Sequence, residues 1–190
     1  MTVTEQKQEL RREVRKMVEG LTNKYCEQAD QAICRSVIHF AGYQEARTVF
    51  CYVGTKDEIN TVPILKDALR RGKRLCVPKC ISRGVMEAFY LDALESLKIG
   101  HYGILEPQKS AAAVPPEAID LAIIPCLSCG SDGKRLGYGG GYYDRYLLKT
   151  KAQRVSLCRG KIMREDIPVD GYDQGMDYVI SEKGIMVVRK

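Results

Sequence analysis

Continuous apolar runs of strand length recur along this 190-residue chain, separated by stretches with helical spacing. They fall at 48–53 (TVFCYV), 74–78 (RLCVP), 120–125 (DLAIIP) and 155–158 (VSLC). A strand wet on one face alternates apolar and polar residues, whereas a continuous run suits a strand covered on both faces. Repeated with helices between them, such runs predict an α/β fold. The expected form is a single-domain Rossmann-like three-layer sandwich over 1–190, with a mostly parallel central sheet flanked by helices.

The intervening segments carry helix signals. Leu10, Val14, Met17, Val18 and Leu21 predict a helix over 4–20, with Thr2 and Glu5 placed for a capping box. A second helix is expected from about 23 to 41, opened by Thr22 and stopped by Gly42. A third runs from Thr61 and Pro63 to Arg71-Gly72. Residues 85–91 are expected to make an edge hairpin with the 74–78 strand. A short helix opened by Asp92 should end at 100–103, before an irregular stretch from 106 to 116. A helix over 142–149 and two short strands at 178–180 and 185–188 complete the expectation.

The totals exclude several classes. Hydrophobic residues make up 45% and charged residues 28%, and no apolar run approaches the roughly 18 residues of a membrane helix. The charged N-terminus lacks the apolar core of a secretory signal. Eight cysteines without such a signal point to free thiols in a reducing compartment, the cytoplasm. The +6 net charge is scattered rather than gathered in a stripe, so neither a nucleic-acid nor a membrane partner is expected. Cys76 with Cys80 and Cys126 with Cys129 could meet at one sheet edge as a four-thiolate zinc site. Against this, Cys51, Cys76 and Cys158 sit inside strand-like runs, where cysteine is a small core residue. Neither His39 nor His101 lies near a nucleophile, and neither is given an acid-base role.

The run 135–147 (RLGYGGGYYDRYL) carries the chemistry. Glycine tolerates positive φ and lets a ligand sit against backbone N–H groups, as phosphate does at helix N-termini. Arg135 offers a planar fork for phosphate, Asp144 a hard oxygen for magnesium, and Tyr138, Tyr142 and Tyr143 flat surfaces or phenol donors. The dinucleotide fingerprint fails, because its third glycine position falls on Tyr142 or Asp144. A Walker A loop fails too, since Lys134 is followed by Arg135 rather than Ser or Thr. Spacing alone leaves a phosphate cradle and a plain β–α turn both open. It likewise leaves Lys7 and Arg11, an i, i+4 pair on the first helix, as an ordinary solvated face or a polyphosphate clasp. Glu58 and Asn60, in the polar loop after the first strand, are candidate substrate contacts.

The run from Asp132 to Leu147 resembles the signature of the 5-formyltetrahydrofolate cyclo-ligase (methenyltetrahydrofolate synthetase) family. Shorter matches lie in order along the chain: Lys7-x-x-Leu10-Arg11, Asp57-Glu58-Ile-Asn60-Thr61, Gly72-Lys-Arg74, Val77-Pro78-Lys79, Asp120-Leu before Pro125, and Ile167-Pro168-Val169 with Asp173. The resemblance implies an ATP- and Mg2+-dependent conversion of 5-formyltetrahydrofolate to 5,10-methenyltetrahydrofolate, releasing ADP and phosphate by way of a phosphorylated formyl oxygen. It implies ATP contacts at Lys7, Arg11, Arg135, Leu136, Gly137, Tyr138, Gly139, Gly140, Gly141, Tyr142 and Tyr143. It places substrate contacts at Val53, Glu58, Tyr138, Gly139, Gly140, Gly141 and Tyr142, metal ligands at Asp144 and Asp173, and catalytic roles on Arg135 and Tyr143. Some members carry basic residues where this chain has Tyr138 and Gly140, which shifts phosphate binding to backbone amides, Lys7, Arg11 and Arg135. The partners implied are small molecules, and a monomer is expected. Two other readings remain beside it: a different ATP-using or sugar-phosphate enzyme on a similar sheet, and an anion- or RNA-binding module.

Overall fold

Strand β1 (Thr48–Cys51) is buried along its whole length, at the middle of the sheet. The computed structural model describes residues 1–100, 103–108 and 110–188. His101 lies outside the described residues. Its helices are α1 (Val3–Glu19), α2 (Asn23–His39), α3 (Ala41–Glu45), α4 (Val62–Arg70) and α5 (Tyr142–Leu147). After β1 come β2 (Arg74–Ser82), β3 (Val85–Tyr90), β4 (Lys98–Ile99), β5 (Leu105–Glu106), β6 (Ala113–Val114) and β7 (Leu121–Ile124). The rest are β8 (Ser128–Cys129), β9 (Arg135–Leu136), β10 (Gln153–Leu157), β11 (Tyr178–Ser181) and β12 (Gly184–Val187).

Eight strands form the main sheet in the order β12-β11-β10-β7-β1-β2-β3-β6. The five central strands, from β11 to β2, pair in parallel, and antiparallel pairs flank them on both sides. From β1 the chain crosses to β2 on one side and later to β7 on the other. Strand order therefore reverses between β1 and β7, and a crevice opens at their carboxyl ends, where ligands bind in open α/β sheets.

Period-2 alternation sorts the strand residues into two layers. Val49 and Cys51 of β1, Leu121 and Ile123 of β7, and Val155 and Leu157 of β10 join Ile33 and Val37 of α2 and Ile64 and Leu65 of α4. Phe50, Ala122 and Ile124 point the other way, into a cluster with Tyr146 and Leu147 of α5. A third cluster seats Leu10 and Val14 of α1 against Leu127, Leu136, Cys158 and Val179. The full burial of Phe50, Leu121 and Ile123 contributes about 1.5–3 kcal/mol each.

Several boundaries differ from expectation. Helix α2 ends at Phe40, whose ψ of 130° leaves the helical region, and Gly42 lies inside α3 rather than stopping a helix. The short helix expected after Asp92 is only a single 3-10 turn, Leu94–Ser96, followed by β4. Strand β3 is not the edge, because β6 pairs outside it. Residues 128–136, where no strands were expected, close a small hairpin of β8 and β9. The capping box of Thr2 and Glu5 forms as expected.

Candidate active site

The loop after β1 is shaped by crowding. A Cβ on Gly54 would lie 2.1 Å from the Ile59 carbonyl oxygen, so only glycine lets the loop fold back so tightly. The buried Thr61 hydroxyl donates to the Tyr52 carbonyl at 2.8 Å and accepts from the Gly54 N–H at 3.1 Å. Glu58 then accepts from the Thr55 N–H at 2.9 Å.

A buried ion pair holds this loop from behind. Arg159 donates to both carboxylate oxygens of Asp30, at 2.8 and 3.0 Å, and to the carbonyls of Asp57 and Glu58, at 3.3 and 2.9 Å. Asp30 also accepts from the Asn60 N–H at 2.9 Å. The Asn60 side chain accepts from the Val62 N–H at the start of α4, so this sequence candidate serves the helix entry and is not among the cleft-lining residues.

The glycine turn lies opposite. Gly139 (φ 105°) and Gly141 (φ 64°) adopt positive φ, and Gly141 is the N-cap of α5. Positive φ is costly for any residue with a Cβ, which explains why the chain concentrates glycine here. Arg135, on β9, is buried. Its Nη2 donates to Asp144 Oδ1 at 2.8 Å and its Nη1 to the Pro125 carbonyl at 3.2 Å, while its Nε is buried without a partner among the described residues. Its guanidinium sits 6.0 Å from the Tyr143 ring centroid, within reach of a cation–π contact. Burial raises the Tyr143 phenol well above its ordinary pKa, so it remains a neutral donor.

Helix α1 and the late loop close the third side. Arg11 Nε donates to the Gly137 carbonyl at 2.8 Å, and burial followed by the nearby Arg15 lowers its pKa. Lys7 bridges Asp170 at 2.8 Å and Asp173 at 2.5 Å. Burial alone would lower the lysine pKa, but these two carboxylates outweigh it and raise the value. Asp144 Oδ1 also accepts from the Gln174 N–H at 3.2 Å, tying the same loop to α5.

Lys7, Arg11, Val53, Glu58, the stretch from Arg135 to Asp144, and Asp173 thus line one cleft of about 1090 Å³, and of the sequence-predicted site residues only Asn60 does not. Asp170, Arg159 and Asp30 were not singled out in the sequence. Asp170 carried a signal only as one of several acidic residues in its segment. Cys76 is buried in the cluster beneath α5, as its place inside a strand-like run led us to expect, and the thiols that converge among the described residues are Cys126, Cys129 and Cys158. Asp144 and Asp173 beside Lys7, Arg11, Arg135 and the glycine turn suit a hard divalent ion and a polyphosphate, and the orphaned Arg135 Nε is a donor awaiting an acceptor.

The family model described as 5-formyltetrahydrofolate cyclo-ligase matches residues 3–182. The chain belongs to this enzyme family. The probable 5-formyltetrahydrofolate cyclo-ligase of Schizosaccharomyces pombe is 28% identical over 172 residues, spanning 82% of this chain and 84% of the relative. The mouse 5-formyltetrahydrofolate cyclo-ligase is 27% identical over 195 residues, 96% of each chain. Among solved structures, the Aquifex aeolicus 5,10-methenyltetrahydrofolate synthetase superposes with a TM-score of 0.85 at 26% identity, over 97% of this chain and 93% of that one. The Mycoplasma pneumoniae 5,10-methenyltetrahydrofolate synthetase shares the fold, with a TM-score of 0.76 at 23% identity, over 93% and 98% of the chains. Among the described residues no helix is long and apolar enough to cross a membrane.

Proposed function

We propose that this chain cyclises 5-formyltetrahydrofolate to 5,10-methenyltetrahydrofolate at the expense of ATP, releasing ADP and phosphate. The observation that supports this most is the meeting of Lys7, Arg11, Arg135 and the glycine turn with Glu58 in one cleft of a cyclo-ligase family chain. In this reading the γ-phosphoryl group passes to the formyl oxygen. The neighbouring N10 then closes on the activated carbon, and phosphate carries the oxygen away. No protein nucleophile is required, so the protein's work is alignment and charge neutralisation.

Each side chain has a distinct task. Lys7 and Arg11 take phosphate oxygens together with the amides of the glycine turn. Arg135, fixed by Asp144 and Pro125, places its fork where charge accumulates on the transferring group. Tyr143 donates its phenol proton as a hydrogen bond to the reacting oxygens. Glu58 accepts from the amino and ring N–H groups of the pterin, whose flat face rests against Val53 and the tyrosines. Asp144 and Asp173 would hold Mg2+, which supplies charge neutralisation for the phosphates when bound.

The test follows the absorbance of the methenyl product with 5-formyltetrahydrofolate, with and without ATP and Mg2+. Growth of the chromophore only with all components is the expected result. ATP hydrolysis that reduced folates neither stimulate nor inhibit would instead favour a different ATP-using enzyme.

A further inference from the structure

Strands β7 and β10 run side by side in parallel, with Ile124 opposite Ser156. Two residues further on, the same register sets Cys126 beside Cys158, just past the end of each strand. The β8–β9 hairpin then folds back and adds Cys129, three residues after Cys126. The three sulfur atoms all lie within 4.8 Å of one another, and among the described residues this group includes no fourth histidine, cysteine or carboxylate donor.

We propose that Cys126, Cys129 and Cys158 form a three-thiolate site for a thiophilic d10 cation, Zn2+ or Cu+. A metal–sulfur bond of about 2.3 Å sets neighbouring sulfurs of a trigonal or tetrahedral site about 3.8–4.0 Å apart, so side-chain rotations that move the sulfurs by under about 1 Å close the triangle. The C-x-x-C spacing of the first two is a chelating loop, and the third ligand arrives from a rigid neighbouring strand. The competing hydrogen bonds are weak: Cys126 Sγ reaches the Leu157 carbonyl at 3.1 Å and Cys158 Sγ the Arg159 carbonyl at 3.6 Å. Cys126 is half-buried while its partners are buried, and it lines a small recess with Cys158, Glu58 and Tyr138.

On coordination each of the three thiols gives its proton to solvent and an electron pair to the metal, with no change of oxidation state. Soft thiolates and the hard carboxylates Asp144 and Asp173 select different ions, so this centre does not compete with the one expected for Mg2+. An ion here would brace the segment whose Pro125 and Cys126 carbonyls accept from Arg135 and Tyr138. The proposal stands apart from the cyclo-ligase reading, because its readout is binding of metal alone.

The test titrates the reduced full chain with Zn2+ and, separately, with Cu+, each against a chromophoric chelator. One equivalent of either ion is expected, and the tighter arm identifies the natural one. Cys129→Ser and Cys158→Ser should each weaken binding by more than about a hundredfold, beyond the loss of an outer-shell partner, while Cys26→Ser leaves it intact. Should the serine variants fail to fold, alkylation of the wild-type chain followed by peptide mass analysis gives the answer. Metal should protect Cys126, Cys129 and Cys158 and leave the other five thiols reactive upon unfolding in its absence or presence alike. Sub-stoichiometric binding, equal binding by the serine variants, or no selective protection would overturn the proposal.

Discussion

Lys7 Nζ lies 2.5 Å from Asp173 Oδ2, joining the first helix to a loop 166 residues later. The lysine thus rests on carboxylates, and in the proposed reaction it exchanges them, at least in part, for phosphate oxygens of ATP. Replacing Lys7 with Gln removes a charge-assisted contact of about 1.5–3 kcal/mol, equivalent to a ten- to hundredfold rise in KM for ATP. The KM for 5-formyltetrahydrofolate should move little. Initial-rate kinetics with each substrate varied in turn distinguishes this from an equal effect on both.

Arg135 and Asp144 support one another through a 2.8 Å contact, yet their losses should differ in kind. Arg135→Ala removes the donor fork and is expected to lower kcat by about 10²–10³, the range for a lost transition-state donor. Asp144→Asn keeps a hydrogen-bond acceptor for Arg135 but gives up the anionic ligand. Its loss should be partly recovered at high Mg2+, whereas that of Arg135→Ala should not. A Mg2+ titration of both variants in the methenyl assay checks this, and identical responses would refute the division of roles.

The Asp30–Arg159 pair is the support behind Glu58. Arg159→Gln leaves a buried carboxylate without its partner, which costs about 3–5 kcal/mol of stability. Adding Asp30→Asn should restore part of it, because the uncompensated charge is gone. Urea denaturation of the two single variants and the double variant measures the coupling. Additive losses would mean that the pair does not act as a unit.

The contact of the 170–173 loop with α1 carries a pH signature. The Lys7 hydrogen bond holds the Asp170 carboxyl below its ordinary value of 3.8, so its stabilising contribution is present above that value and is lost as pH falls through the lower folded pKa. Lys7 is raised above 10.5, so its contribution is present below 10.5 and disappears as pH climbs past the higher folded value. Amide resonances of Asp170 and Asp173, followed by NMR from pH 7 downward, should shift below about pH 4 before the sheet unfolds. A shift that coincides with global unfolding would contradict this.

Gly141→Ala forces a Cβ onto a φ of 64° at the entry of α5. A left-handed residue costs about 1–2 kcal/mol, which lowers Tm by roughly 2–8 °C for a chain of this size. Gly171, with nothing within 4 Å of the position its Cβ would take, is the control for calorimetry.

What could be read in the sequence divides along physical lines. Strands β1 and β7 were plain because burial on both faces makes them continuously apolar, and that requirement is local. Helix α1 announced itself through its periodicity and its cap. Gly42 misled because glycine marks a helix stop only when it follows the last turn, and here Phe40 had already turned the chain. For the site, the glycine turn was visible as a place where backbone could meet a ligand. Its union with Lys7 and Glu58 came from family resemblance, since spacing along the chain carries no record of what folds against what. Arg159 and Asp30, 129 residues apart, carry no local sign in the sequence that they pair. The Cys158 thiol looked like core, which it is, and only the parallel register of β7 and β10 reveals its neighbours.

The bridge from Lys7 to Asp173 also governs when the cleft can exist during synthesis. Closing so long a loop is possible only once residue 173 has left the ribosome. A nascent chain that has already paired β1 with β2 and β7 still lacks the late carboxylates that draw α1 into place. The cleft therefore closes late, and a chain cut short before residue 170 would be left with a partly formed sheet and an unclosed cleft.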